Sequence, residues 1–223
     1  MPRPSAPILS KELIYRTALG ILDRTGRFTV PELAERLGVS VSSLYHHVSG
    51  RAAIVEGVRG LVAAPFAEIP PDAPWDEAVA SWARSYRDAF AAHPAAIPAL
   101  VAQTISDPAT LEQYDRVAGL LRGAGFGPNS VVLAITMLDN LCLGAALDVG
   151  APSVIWDDTG RADSPLPQVL AQASLPDGPD GRSKQAFELE LSFIVLGMTG
   201  MLAKDRQVGQ WAAAGWLPVT SPE

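Results

Sequence analysis

Residues 28–55 read FTVPELAERLGVSVSSLYHHVSGRAAIV, and the order of cap, turn and cap within them decides the fold. The Thr29 hydroxyl can accept from the amide of Glu32 while the Glu32 carboxylate reaches back, and Pro31 sits in the first turn, where a missing N–H costs little. This predicts a short helix to about Leu37. Gly38 then turns the chain, Ser40 offers a second cap, and another short helix is expected over Val41 to Val48. Two short helices joined by a glycine turn are a helix-turn-helix. Leu44 and Val48 fall one turn apart on its inner face, and Val41, Ser42, Ser43 and His46 on its outer face. A helix of this size fits a major groove about 12 Å wide. There serine can donate or accept, Val41 can touch a thymine methyl and His46 can meet a purine N7, while Thr29 presents a helix N-terminus to the phosphate backbone.

Apolar spacing of three and four recurs in both directions from this stretch, and strand alternation does not persist, so the expected fold is all-α. Upstream, Ser10 can cap a helix to about Arg24, with Ile14, Ala18, Ile21 and Leu22 on one face and Gly26 at its end. Downstream, a connecting helix is expected from Arg51 to Glu68, stopped by Pro70, Pro71 and Pro74. That proline cluster is the predicted boundary. Beyond it the pattern predicts a helix over Trp75 to Ala92, a kinked piece over Ala95 to Thr104, and a helix opened by the Asp107 cap and Pro108. Next come a strongly apolar helix capped by Asn129 and running to Asp148, a long loop over 150–184 with a short helix at Pro167 to Ala173, and a last helix over Ser183 to Lys204. A WAAAGW tail would pack by its tryptophans. The predicted organisation is a head at 1–50, a connecting helix at 51–68, a body at 69–206 and a tail at 207–223.

The 223 residues carry a net charge of −7, but the average conceals an asymmetry: residues 1–60 sum to +3 and residues 61–223 to −10. A mildly basic head on an acidic body suits a polyanion reader joined to a different domain. Cys142 is the single cysteine, which excludes an intrachain disulfide and a cysteine zinc cluster. The longest apolar run, Val131 to Leu147, is interrupted by Asp139 and Asn140, so no membrane span is expected. The first ten residues lack an apolar signal core, which points to the cytoplasm. No GxSxG, glycine-rich phosphate loop, HExxH or CxxC occurs, so catalysis is not expected. His93 before Pro94 reads as a dipole partner at a helix end. A helical enzyme, or a protein-interaction module with a vestigial head, stays open as the alternative.

Residues 28–55 resemble the N-terminal domain of TetR-family transcriptional regulators, through Thr29, Ala34, Leu37-Gly38-Val39, Leu44-Tyr45, His47-Val48 and Arg51. Val48 stands where most of the family has Phe, and Arg51 where it has Lys. The resemblance implies that Tyr45, His47 and Arg51 lie along phosphates. Tyr45 as a packing residue and His47 as a partner within the core stay open. Trp75 to Asp148 is similar to the C-terminal domain of the tetracycline-repressor branch, through SYRDAFAAHP, LLRGAGF and LDNLCLGAALD. This implies a homodimer whose two long helices pair with their mates as a four-helix bundle, setting two recognition helices about 34–36 Å apart on a palindromic operator. It also implies a ligand-released repressor with a small, largely apolar effector. Leu100 stands at the register read for the relatives' magnesium-holding histidine and Asn140 near that of a second drug-contacting histidine, so no metal or other cofactor is expected. Facing helices nominate Trp82, Tyr86, Phe90, Leu100, Gln103, Tyr114, Met137 and Asn140 as the ligand-binding lining. Asp139-Asn140 is the most informative pair, because a polar group inside an apolar helix needs a partner. Ligand, water and the twin subunit are the three candidates.

Overall fold

The structure, a computed structural model, describes residues 9–68, 70, 73–152, 155–156, 164–174 and 179–213, with the side chains of 179–180 and 208–213 excepted. The expectations for residues 1–8 and for the packing of the tail lie outside the described residues. Those described form ten α-helices and no strand.

The head comprises α1 (Lys11–Thr25), α2 (Val30–Leu37) and α3 (Val41–Tyr45). Ser10 caps α1 by accepting from the Leu13 amide, and the Thr29–Glu32 capping box closes at both ends, at 3.3 and 3.4 Å. Ser40 caps α3 from the Ser43 amide. Gly26 and Gly38 end α1 and α2 at φ of +69° and +68°, a conformation that glycine reaches without a Cβ penalty. The recognition helix α3 is shorter than its periodicity predicts, stopping at Tyr45 instead of Val48. Past Tyr45 the His47 amide bonds back to Leu44, three residues away, and this tightened turn still brings Val48 over Leu44 in the core.

The connecting helix α4 (Arg51–Ala63) ends earlier than expected because Pro65, two residues on, cannot continue the ladder. It packs along α1 and also leans on three elements of the body, so one apolar cluster runs from the head into the body. Gly57 permits this approach: the Tyr15 ring lies so close that a Cβ there would sit 2.2 Å from it.

The body begins with α5 (Trp75–Ala91), a 3-10 turn (Pro94–Ala96) and α6 (Ile97–Val101), which together resolve the predicted kinked piece, followed by α7 (Pro108–Ala124) with its Asp107 cap. The next helix, α8 (Pro128–Asp148), is capped at Gly127 and not at Asn129. The amide of that cap residue is met from far away, donating to the Asp205 carboxylate at 2.9 Å. A short α9 (Pro165–Gln172) and a long α10 (Pro179–Ala213) complete the body, the latter extending beyond the predicted 183–204 at both ends.

The helix α8 and residues 181–207 of α10 are long and apolar enough to cross a membrane by length and composition, so Asp139 and Asn140 do not shorten the apolar run as expected, but a core helix passes the same test. Here they lie side by side. Ala134, Leu138, Cys142 and Ala146 of α8 and Phe187, Leu191 and Met198 of α10 face inward. Their other side leaves Val132, Leu133, Leu189, Phe193 and Leu196 exposed, Leu196 by 68%.

Candidate DNA-reading head and effector-binding body

The head holds its polar groups by local bonds. Thr29, Ser42, Tyr45, His46 and Arg51 are exposed, and Val41, Ser43 and His47 are half-buried. Tyr45, at 53% exposed, is not a packing residue. The Ser43 hydroxyl lies 2.8 Å from that of Ser40, so it is engaged in the cap. The Arg51 guanidinium stands 5.1 Å over the Phe28 ring, a cation–π contact that orients it. Phe28 belongs to no helical repeat, and the sequence reading missed it.

The body gathers rings. Phe66, Trp82, Tyr86 and Phe90 pack edge-on or tilted with centroids 4.8–6.3 Å apart, and Tyr114 meets Trp82 edge-on at 5.9 Å. Four of the nominated residues thus come together, with Phe66 added from beyond α4. At their polar end the Tyr114 hydroxyl donates to Asp139 at 2.9 Å, with the Tyr86 hydroxyl beside the pair. Burial pushes the Asp139 carboxyl up to about 6, against the opposing pull of the two tyrosines and Arg59. The tyrosine hydroxyls shift upward too, first through burial: at Tyr86 the Tyr114 hydroxyl and Asp139 add to the rise, and at Tyr114 Asp139 adds to it while the hydrogen bond with Tyr86 opposes it. Burial likewise raises the Cys142 thiol, which leaves it unreactive.

The remaining nominees separate. Leu100 is fully buried and Gln103 half-buried, and their backbone carbonyls both accept from Arg59 of α4. Met137 is half-buried, while Asn140 is exposed in a cleft of about 320 Å³ between α8 and α10, beside Asp148, Arg182 and Glu190. Of the informative pair, Asp139 is the one that finds an internal partner.

Arg59 is itself part of a junction that periodicity could not reveal. Its Nε donates to Glu56 at 3.0 Å, and Glu56 accepts in turn from the Ser106 and Asp107 amides. Burial raises the Glu56 carboxyl, but those amides and Arg59 outweigh it and hold the group below its usual range. Both side chains are nearly inaccessible. The pair ties α4 to the end of α6 and the start of α7, where the Asp107 carboxylate covers Gly60. A second tie joins His93 to Asp23 of α1 at 3.0 Å, a partner other than the helix dipole expected for it.

Comparison with known proteins places this architecture. The model of the tetracycline repressor-like C-terminal domain matches residues 69–202. The chain belongs to the TetR family of transcriptional regulators. It is 30% identical over 210 residues to the class A tetracycline repressor of transposon 1721 from Escherichia coli, covering 90% of this chain and 93% of that one. It is 28% identical to the HTH-type transcriptional repressor DrrR1 of Streptomyces coeruleorubidus, over 92% and 83% of the two chains. Among solved structures, apo ActR of Streptomyces coelicolor superposes with a TM-score of 0.70 at 26% identity, over 87% of this chain and 98% of that one. As a family member the protein is a DNA-binding transcriptional regulator with a helix-turn-helix head and a ligand-binding body.

Proposed function

We propose that this TetR-family protein is a cytoplasmic repressor that binds a palindromic operator as a homodimer and is released by a small, largely apolar effector. The observation that carries the reading is the recognition helix α3, which buries Leu44 and turns Ser42, Tyr45 and His46 outward beside an oriented Arg51. In this reading Val41, Ser42, Ser43 and His46 meet base edges, and Thr29, Tyr45, His47 and Arg51 hold phosphates. None of the base readers makes the bidentate contact of Arg or Asn, so discrimination is the sum of many small contributions.

Dimerisation covers the apolar residues that α8 and α10 leave exposed, forming a four-helix bundle across a two-fold axis. The head is assigned to 1–50, the connecting helix to 51–68, the body to 69–206 and the tail to 207–223. The effector site is assigned to Trp82, Tyr86, Phe90, Leu100, Gln103, Tyr114 and Met137. Asn140 belongs with the α8–α10 cleft. An effector that displaces the α6–α7 segment pulls on Arg59 and Glu56, and so tilts α4 and the heads away from the operator spacing. The protein performs no catalysis of its own in this reading.

Fluorescence anisotropy with the DNA flanking its own coding region, at low and high salt, tests the proposal. Saturable binding to a short palindrome that weakens steeply with salt is the expected result, because phosphate contacts release counterions. Salt-insensitive binding, or none by protein refolded free of small molecules, would overturn it.

A further inference from the structure

Among the described residues, one carboxylate of the body's ring cluster forms no ion pair. Arg59 is engaged by Glu56 and two carbonyls, Arg84 by Glu188, Arg87 by Asp88, and Arg182 by Asp148. Among the described residues Asp139 pairs with no basic side chain, and its hydrogen-bond donor is the Tyr114 hydroxyl. Glu56 and Arg59 pair with each other, so the Arg59 charge near Asp139 is already matched by a carboxylate of its own.

Beside the Asp139 carboxylate stand π-faces. Tyr114, Trp82, Tyr86, Phe66 and Phe90 form one continuous ring system that begins at the Asp139 carboxylate. An aromatic face attracts a cation by its quadrupole and repels an anion, so rings and carboxylate select the same sign of charge. Trp82 adds an independent observation. It is fully buried, yet its indole N–H has no hydrogen-bond partner, although buried polar groups nearly always have one.

We propose that the effector is a flat organic cation, a protonated or quaternary amine on an aromatic or polycyclic body, whose charge is met by Asp139 and whose rings slide among Trp82, Tyr86 and Tyr114. This rests on the reading of the body as an effector domain and adds the ligand's chemical class. The Trp82 N–H donates to an acceptor atom on the ligand's rings. The charged side chains and titratable groups facing Asp139 are Tyr114 from α7, Tyr86 from α5, Cys142 from its own helix and Arg59 from α4. Of these, Asp139 alone changes charge between pH 5 and 8, so cation affinity falls as the medium is acidified.

The test uses two xanthene dyes of one ring system and opposite charge, pyronin Y as the cation and fluorescein as the anion, with crystal violet as a second cation. Binding to the full-length protein without DNA is followed by dye polarisation and quenching of tryptophan emission at pH 8. Saturable binding of a cation, at least about tenfold tighter than fluorescein, is expected. Asp139→Asn should abolish that preference and its pH dependence, and Asp139→Glu should keep both, with thermal melts verifying that each variant is folded. Equal or tighter binding of fluorescein, an unchanged preference in Asp139→Asn, or no saturable binding of either cation would overturn the proposal. Operator binding measured on the same preparations separates the two readings. Its loss with cation preference intact counts against the repressor, and its presence without cation preference counts against the ligand class alone.

Discussion

The head relies chiefly on local bonds for its polar groups, and the rest of the chain adds many long-range ones, although Asp107 caps α7 locally and Asp23 of α1 reaches His93. In the head the bonds are local: Ser10 to Leu13, Thr29 to Glu32 and Ser40 to Ser43 each span three residues. In the connecting helix and the body many of them cross the chain. Glu56 meets Ser106, Tyr114 meets Asp139, Asp205 meets Gly127, and Arg84 meets Glu188 over 104 positions. Local bonds survive in any neighbourhood and build a rigid reading surface. Long-range bonds depend on how helices sit against one another, and that dependence is what a ligand-responsive domain needs.

The contrast is most severely tested at the junction. Arg59→Met leaves Glu56 buried without its cation, so a loss of about 3–5 kcal/mol in urea unfolding is expected. The double replacement Glu56→Gln/Arg59→Met should recover part of it while weakening the link from the body to α4. Gly57→Ala probes the packing of α1 on α4: the new Cβ meets the Tyr15 ring, and a cost of about 1–3 kcal/mol is expected, relieved by Tyr15→Ala.

A smaller effect separates the two regions by pH. The Asp139 carboxyl is raised from 3.8 to about 6 in the folded body, so between those values the folded state binds more protons than the unfolded one. Stability from this group is therefore fully present below its unfolded value and lost as pH rises through about 6. Urea melts across that window should show Asp139→Asn gaining on the parent by about 2 kcal/mol toward pH 8. The smallest effect is in the head. Thr29→Ala removes one half of the capping box, which costs about 1 kcal/mol and weakens operator binding without altering the response to effector. A large change in that response would show that the head's bonds are not as local as they look.

How far each region was legible follows from the same distinction. Ser10, Thr29, Gly38 and Ser40 declare their roles within four residues, so the head's elements and their caps could be read directly, and Asp107 does the same for α7 of the body. The end of α3 could not, because its last turn tightens to carry Val48 onto Leu44. In the body, facing helices nominated Trp82, Tyr86, Phe90 and Tyr114 for a common site, and these do meet. Phe66, Glu56 and Arg59 were missed, and each acts through a partner that only the folded chain brings near. Asp139-Asn140 was recognised as informative, but which of the two turns inward depends on the rotation of α8 against α5 and α7, and one residue of helical phase exchanges them.

From the sequence by itself came the all-helical class, the helix-turn-helix and its reading face, and the division into a basic head and an acidic body. Each rests on periodicity, capping or charge within a few residues. Only the tertiary structure decided that Asp139 lies beside the rings with no ion-pair partner among the described residues, that Glu56 and Arg59 join α4 to the body, and that Asp205 meets the cap of a helix 78 positions away. Those outcomes depend on helix packing, in which a side chain's environment is set by residues remote in sequence, and on a scale where one residue of phase, about 100°, converts a surface residue into a buried one.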